Sequence, residues 1–99
     1  MADPSKILVL RTGANDPFEF MVEVRDPDGK SHHDVTLRHD TYRRLSSEKF
    51  APETCVEAAF RFLLDREPKD SILSTFEIEQ ISGYFPDFEQ ALPGYFPTV

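Results

Sequence analysis

Five apolar residues near the middle of the chain, Val56, Ala59, Phe60, Leu63 and Leu64, recur at i, i+3, i+4, i+7 and i+8. Positions so spaced share one stripe of an α-helix, because a helix returns to the same face every 3.6 residues. Pro52 suits the first helical position, where its missing N–H costs nothing. Glu53 complements the positive end of the helix dipole, and Pro68 follows the end. A helix over about 52–67 is therefore expected. Cys55 and Phe62 widen its stripe, so it needs a broad apolar partner, most simply a sheet.

The first 38 residues read as that sheet. Ile7 to Leu10 form a short apolar run, read as a strand over about 6–11 covered on both faces. Phe18, Phe20, Val22 and Val24 alternate with Glu19, Met21, Glu23 and Arg25, the period of a half-buried strand over about 18–25. Asp26-Pro27-Asp28-Gly29 is a turn: proline presets φ at its second position and glycine tolerates positive φ at its fourth. A third strand, about 30–38, puts Val35 and Leu37 on one face. A four-residue loop would pair Arg25 with Lys30, Val22 with His33, Phe20 with Val35 and Phe18 with Leu37, so that apolar meets apolar.

Helices are expected to fill the remainder. Asp40 can cap a helix over about 41–48 whose apolar face holds Tyr42 and Leu45. Ser74-Thr75-Phe76-Glu77 has the form of a capping box, with Leu73 and Ile78 placed as a hydrophobic staple. It would open a helix over about 74–82 that Gly83 stops in a left-handed conformation. A last short helix is expected over about 86–92. Gly83-Tyr84-Phe85-Pro86 recurs as Gly94-Tyr95-Phe96-Pro97, read as two similar helix stops, each followed by an aromatic pad. The expectation is one α+β domain spanning 1–99: a three-stranded antiparallel meander, then three to four helices packed on one face.

Charge bounds the partners. The formal net charge is −7, and it is uneven: Lys/Arg against Asp/Glu is 8 to 9 over residues 1–50 but 3 to 9 over residues 51–99. Such a balance opposes polyanions, nucleic acid included. A single cysteine excludes an internal disulfide and any cysteine-based zinc site. Four consecutive apolar residues near the N-terminus are too few for a signal-peptide core, and no run approaches the length of a membrane span. A reduced cytoplasmic protein without membrane association is the expectation.

Reactive residues receive structural readings. Cys55 lies in the first turns of the long helix, where the dipole would lower a thiol pKa, but it borders the apolar stripe and reads as a buried small hydrophobe. His32, His33, His39, Asp34 and Asp40 are the only cluster of ligand types. Neighbours on a strand point to opposite faces, so His32 and His33 do not converge on one ion. His33 falls on the apolar face and is read as partly buried with a hydrogen bond. No carboxylate pair suggests general acid/base work, and no glycine-rich phosphate loop or nucleophile motif is present, so no catalytic, cofactor or metal residue is assigned.

Two resemblances add to this reading. Phe60-Arg61-Phe62-Leu63-Leu64-Asp65-Arg66-Glu67-Pro68, then Ser71-Ile72-Leu73, Phe76, Ile81 and Tyr84-Phe85-Pro86, resemble a family of small bacterial proteins of uncharacterised function over about residues 55–90. That likeness implies a bacterial cytoplasmic domain and carries no active-site residue. Over residues 33–67, Val35-Thr36-Leu37 followed by the two helices is similar in order to ribbon-helix-helix DNA-binding proteins. There the strand pairs with its copy and lays alternate polar side chains, here Asp34, Thr36 and Arg38, into the major groove.

Two surfaces remain. Tyr84, Phe85, Phe88, Tyr95 and Phe96 are five of the twelve aromatics within the last sixteen residues, and aromatic residues enrich interface cores. They suggest a small non-catalytic interaction domain, a subunit or regulator whose partner is another protein or a second copy. Arg38, Arg43 and Arg44 form the one locally basic region, offered as an anion or nucleic-acid patch of a ribbon-helix-helix type regulator.

Overall fold

A computed structural model describes residues 5–46 and 49–97. Strands β1 (Lys6–Gly13), β2 (Phe18–Asp26) and β3 (Gly29–Leu37) form the antiparallel meander. The β2–β3 register is the expected one, with Phe18 opposite Leu37, Phe20 opposite Val35, Val22 opposite His33 and Arg25 opposite Lys30. Pairing continues to Asp26 and Gly29, so only Pro27 and Asp28 bridge the strands. Asp26 Oδ1 accepts the Asp28 N–H at 2.9 Å, and Gly29 takes φ +136°, a region costly for any residue with a Cβ.

Phe20, Val22, Val24, Val35 and Leu37 turn one face of this meander into core. β1 departs from expectation. Ile7 is buried and Val9 half-buried, but Leu8 and Leu10 are 56% and 58% exposed. The apolar run suits a strand covered on both sides, but its place at the edge of the sheet leaves one side open.

Helix α1 (His39–Ser46) begins two residues before the expected start. The Arg38 carbonyl accepts the Tyr42 N–H at 2.9 Å, while Asp40, expected as the cap, lies inside the first turn and accepts the Thr41 N–H at 2.8 Å. The expected end at 47–48 falls outside the described residues. Helix α2 (Pro52–Leu64) opens on proline as anticipated and stops three residues early. The N–H groups of Arg66 and Glu67 both return to the Leu63 carbonyl at 2.9 Å, and Pro68 disfavours helical geometry at the residue before it.

The expected helix over 74–82 is corrected. Thr75–Glu77 is a fourth strand, β4, parallel to β3 and pairing Asp34 with Thr75, Val35 with Phe76 and Thr36 with Glu77. The Asp34 N–H donates to the Ser74 carbonyl at 2.8 Å, and His33 Nδ1 lies 2.7 Å from the Leu73 carbonyl. Phe76 is buried, its ring 5.8 Å from that of Phe60. Burying this ring in a pleat beside Val35 outweighs a capping box, worth about 1 kcal/mol. The cap appears three residues later, where Gln80 Oε1 accepts the Glu77 N–H at 2.8 Å. A 3-10 turn (Ile78–Gln80) then leads into α3 (Ile81–Tyr84).

Gly83 sits inside α3 and is not left-handed; Gly29 is the positive-φ glycine among the described residues. Proline makes the stop instead. Phe85 is extended (φ −130°, ψ 91°) before Pro86, as is Phe96 (φ −75°, ψ 151°) before Pro97. Between them lie α4 (Phe88–Ala91) and a 3-10 turn (Leu92–Tyr95).

The result is α+β, as anticipated, with a mixed four-stranded sheet ordered β1-β2-β3-β4 in place of three antiparallel strands. The helices cover one face. The other presents Glu19, Met21, Arg25, His32 and Asp34 to solvent. No described helix is long and apolar enough to cross a membrane.

Candidate interaction surface

α2 is buried on two sides. Towards the sheet, Phe60 and Leu63 are covered as expected, Phe60 lying 5.3 Å from the His33 ring. Towards the C-terminus Phe62, also fully buried, is the centre of a second aromatic cluster. The rings of Phe85, Phe88 and Tyr95 meet it edge-on at 5.8, 5.0 and 5.8 Å. Edge-to-face contact sets the positive rim of one ring against the negative face of another. The Arg66 guanidinium lies 3.8 Å above Phe62 and pairs with Asp87.

The five aromatic candidates are thereby separated. Phe88 is buried, Phe85 and Tyr95 half-buried on Phe62, and Phe96 stacked on Phe50 at 4.5 Å. The Tyr95 hydroxyl donates to Asp65 Oδ2 at 2.6 Å, which raises the phenol pKa above its usual value. Only Tyr84 stands out, 66% exposed. The two Gly-Tyr-Phe-Pro stretches thus end similar turns but place their tyrosines in opposite surroundings.

The basic candidates are likewise divided. Arg44 is held by Glu89 through two hydrogen bonds of 3.0 and 3.1 Å. This pairing raises the guanidinium pKa and lowers that of the Glu89 carboxyl. Glu79 accepts the Arg38 backbone N–H at 2.9 Å and lies 3.9 Å from its side chain. Arg43 is exposed and has no charged partner among the described residues. The acidic second half therefore folds back onto this region and offsets most of its charge.

The reactive residues serve the fold. Cys55 is fully buried, and desolvation pushes its thiol up to about 12, so burial overrides the helix dipole. His33 is 2% exposed and bridges Ser31 Oγ at 2.8 Å and the Leu73 carbonyl. His32 reaches Glu23 on β2 at 2.9 Å, and His39 stacks on Phe18 at 4.1 Å.

What the geometry creates is a groove of about 250 Å³ between α2 and the segment from Ser71 to Phe85. Leu63, Ile72, Phe76, Ile81 and Phe85 form its apolar lining, Leu73 and Tyr84 stand at its mouth, and Glu67 and Gln80 border it. Leu73 is 52% exposed. Read from the sequence as half of a hydrophobic staple, it does not serve as one, because the helix it was to staple starts later. The overlooked signal was the pair Ile72-Leu73: in extended backbone adjacent side chains diverge, so only one can enter the core. The large exposed apolar residues thus gather in two places, Leu73 with Tyr84 at this groove and Leu8, Leu10 and Met21 on the open sheet face. No protein-family model, no curated protein and no solved structure matches this chain.

Proposed function

We propose that this chain is a small non-catalytic protein–protein interaction domain, acting in the cytoplasm as a subunit or regulator, and that the Leu73–Tyr84 groove is where its partner docks. One observation carries the reading: a small fold that buries or half-buries eleven of its twelve aromatics leaves the twelfth, Tyr84, exposed with Leu73 at the mouth of an apolar groove. At about 250 Å³ the groove lies below the usual range of ligand pockets, roughly 300–1,000 Å³. It suits one or two inserted side chains better than a cofactor. Glu67 borders it, and Asp70 nearby is exposed. The partner segment is accordingly one with an aromatic or aliphatic anchor flanked by lysine or arginine.

The alternative, a ribbon-helix-helix type nucleic-acid regulator, gains no support from the geometry. Such a strand must pair with its copy, and β3 already has β2 on one side and β4 on the other. Arg38 and Arg44 also face Glu79 and Glu89.

A displayed random-peptide library tests the reading. Wild-type protein should enrich peptides with a large apolar anchor beside basic residues. Leu73→Asp and Tyr84→Ala, both exposed and expected to fold normally, should lose that enrichment. Equal enrichment by wild type and Leu73→Asp, or none by either, would sink the proposal.

A further inference from the structure

The second exposed apolar group lies on β1. It is an edge strand of eight residues, and edge strands carry unpaired N–H and C=O groups that proteins normally blunt with proline, charge or cover. Ile7-Leu8-Val9-Leu10 has none of these protections. The β1 irregularity falls only at its far end, between Arg11 and Gly13. Among the described residues, no hydrogen bond from elsewhere in the chain reaches the backbone of Ile7 to Leu10 along its outer edge.

We infer that β1 is a self-association edge, pairing antiparallel with β1 of a second copy about a two-fold axis through Val9. A two-fold axis normal to the sheet keeps the faces matched, so outward residues must meet outward residues. Centring on Val9 uses the most of the strand. Leu8 then faces Leu10 of the other copy, Ile7 faces Arg11, and Lys6 faces Thr12. On the open face the four leucines and two Met21 side chains (Met21 is the β2 neighbour of Leu10) close into one apolar cluster.

Charge selects a second copy as the occupant. Lys6 and Glu19 are both exposed, and among the described residues neither side chain has an ion pair or hydrogen bond. The Glu19 carboxylate lies over Gly13, so near that a Cβ built there would be 2.6 Å from its Oε2. In the Val9-centred register Lys6 of the other copy arrives beside this end of β1, on the same face. Two strand spacings, about 10 Å, separate the two backbones, a span that lysine and glutamate side chains cover together. The contact occurs twice. Arg11 is already satisfied by Glu53, through bonds of 2.6 and 3.0 Å, and offers Ile7 only its aliphatic stem. On the helix side, Glu53 reaches Arg11 and Arg61 reaches the Ser5 carbonyl, so α2 runs antiparallel to β1. The axis would then bring Glu53 of each copy towards Arg61 of the other.

Sedimentation velocity over a concentration series up to millimolar decides it. Wild type should pass from monomer to dimer. The doubly substituted Leu8→Lys/Leu10→Lys protein should stay monomeric with an unchanged circular-dichroism melt. Lys6→Glu and Glu19→Lys should each weaken the dimer roughly twofold to fivefold, and the two together should restore it, because only the exchanged pair attracts again. These two positions are exposed, so their result stands even if the leucine variant folds poorly. A wild type that remains monomeric, or charge exchange without rescue, overturns the inference. So does a dimer dispersed by Tyr84→Ala and not by Leu8→Lys/Leu10→Lys, which would move self-association to the groove.

Discussion

The C-terminal aromatic segment and the β1 edge invert what their compositions suggest. The segment from Tyr84 to Phe96, richest in the residue types of interfaces, spends most of its rings on Phe62 and Phe50 within its own chain. The edge, an aliphatic run that reads as core, keeps Leu8 and Leu10 in solvent. Burial follows from place in the fold more than from residue type. A ring beside the Phe62 flank of α2 finds a partner at once. A leucine on the open face of an edge strand finds none in its own chain.

The largest test of this contrast is Phe62→Ala. If the C-terminal aromatics are a second core, removing their centre should destabilise the protein by about 3–5 kcal/mol in urea unfolding, as much as Phe60→Ala on the sheet side. A cost below about 1 kcal/mol would make the segment a loosely attached pad and return all five aromatics to the surface. Tyr95→Phe asks whether the end of the segment is anchored. Losing the hydrogen bond to Asp65 should cost about 1 kcal/mol, and the 3-10 turn should show faster amide exchange; no change in either would detach Tyr95 from the core account.

The smallest effect concerns the ion pairs that fasten the ends of α1 and α2. Arg11 holds the Glu53 carboxyl below its ordinary 4.5, and Arg44 does the same to Glu89. With folded values depressed, the unfolded chain binds protons first as pH falls. Stability should therefore be level from neutral pH to about 5 and then decline through the unfolded carboxylate range. Each partly exposed pair contributes at most about 1 kcal/mol. The Glu53→Gln/Glu89→Gln protein should show a shallower acid limb; an unaltered limb would place the acid sensitivity elsewhere.

The meander and its register were legible because alternation, turn chemistry and pairing all agree: one slip would bring Phe20 opposite Thr36. The α2 stripe was equally plain. What misled was local grammar read without tertiary context. Ser74 to Glu77 satisfies a capping box and also suits a pleat, and burial of Phe76 against Phe60 and beside Val35 decides between them. Gly83 resembles a helix stop, but Pro86 acts first. For the candidate surface, Tyr84 was named from sequence and Leu73 was not. The exposure of Leu8 and Leu10 depended on strand order, which no local pattern encodes.

The bond from His33 to the Leu73 carbonyl spans 40 positions, and β4 joins the sheet across the same interval. On the ribosome, the meander can close once Leu37 emerges, well before α2 and β4 exist. At ordinary elongation rates those 40 residues take roughly 2–8 s. Through that interval Phe20, Val22, Val24 and Val35 lie bare on one face, and Leu8 and Leu10 on the other. Lys6 and Arg11 set one charge at each end of the four apolar residues Ile7 to Leu10 of this nascent hairpin, a placement that disfavours out-of-register pairing with other chains until the helix layer arrives.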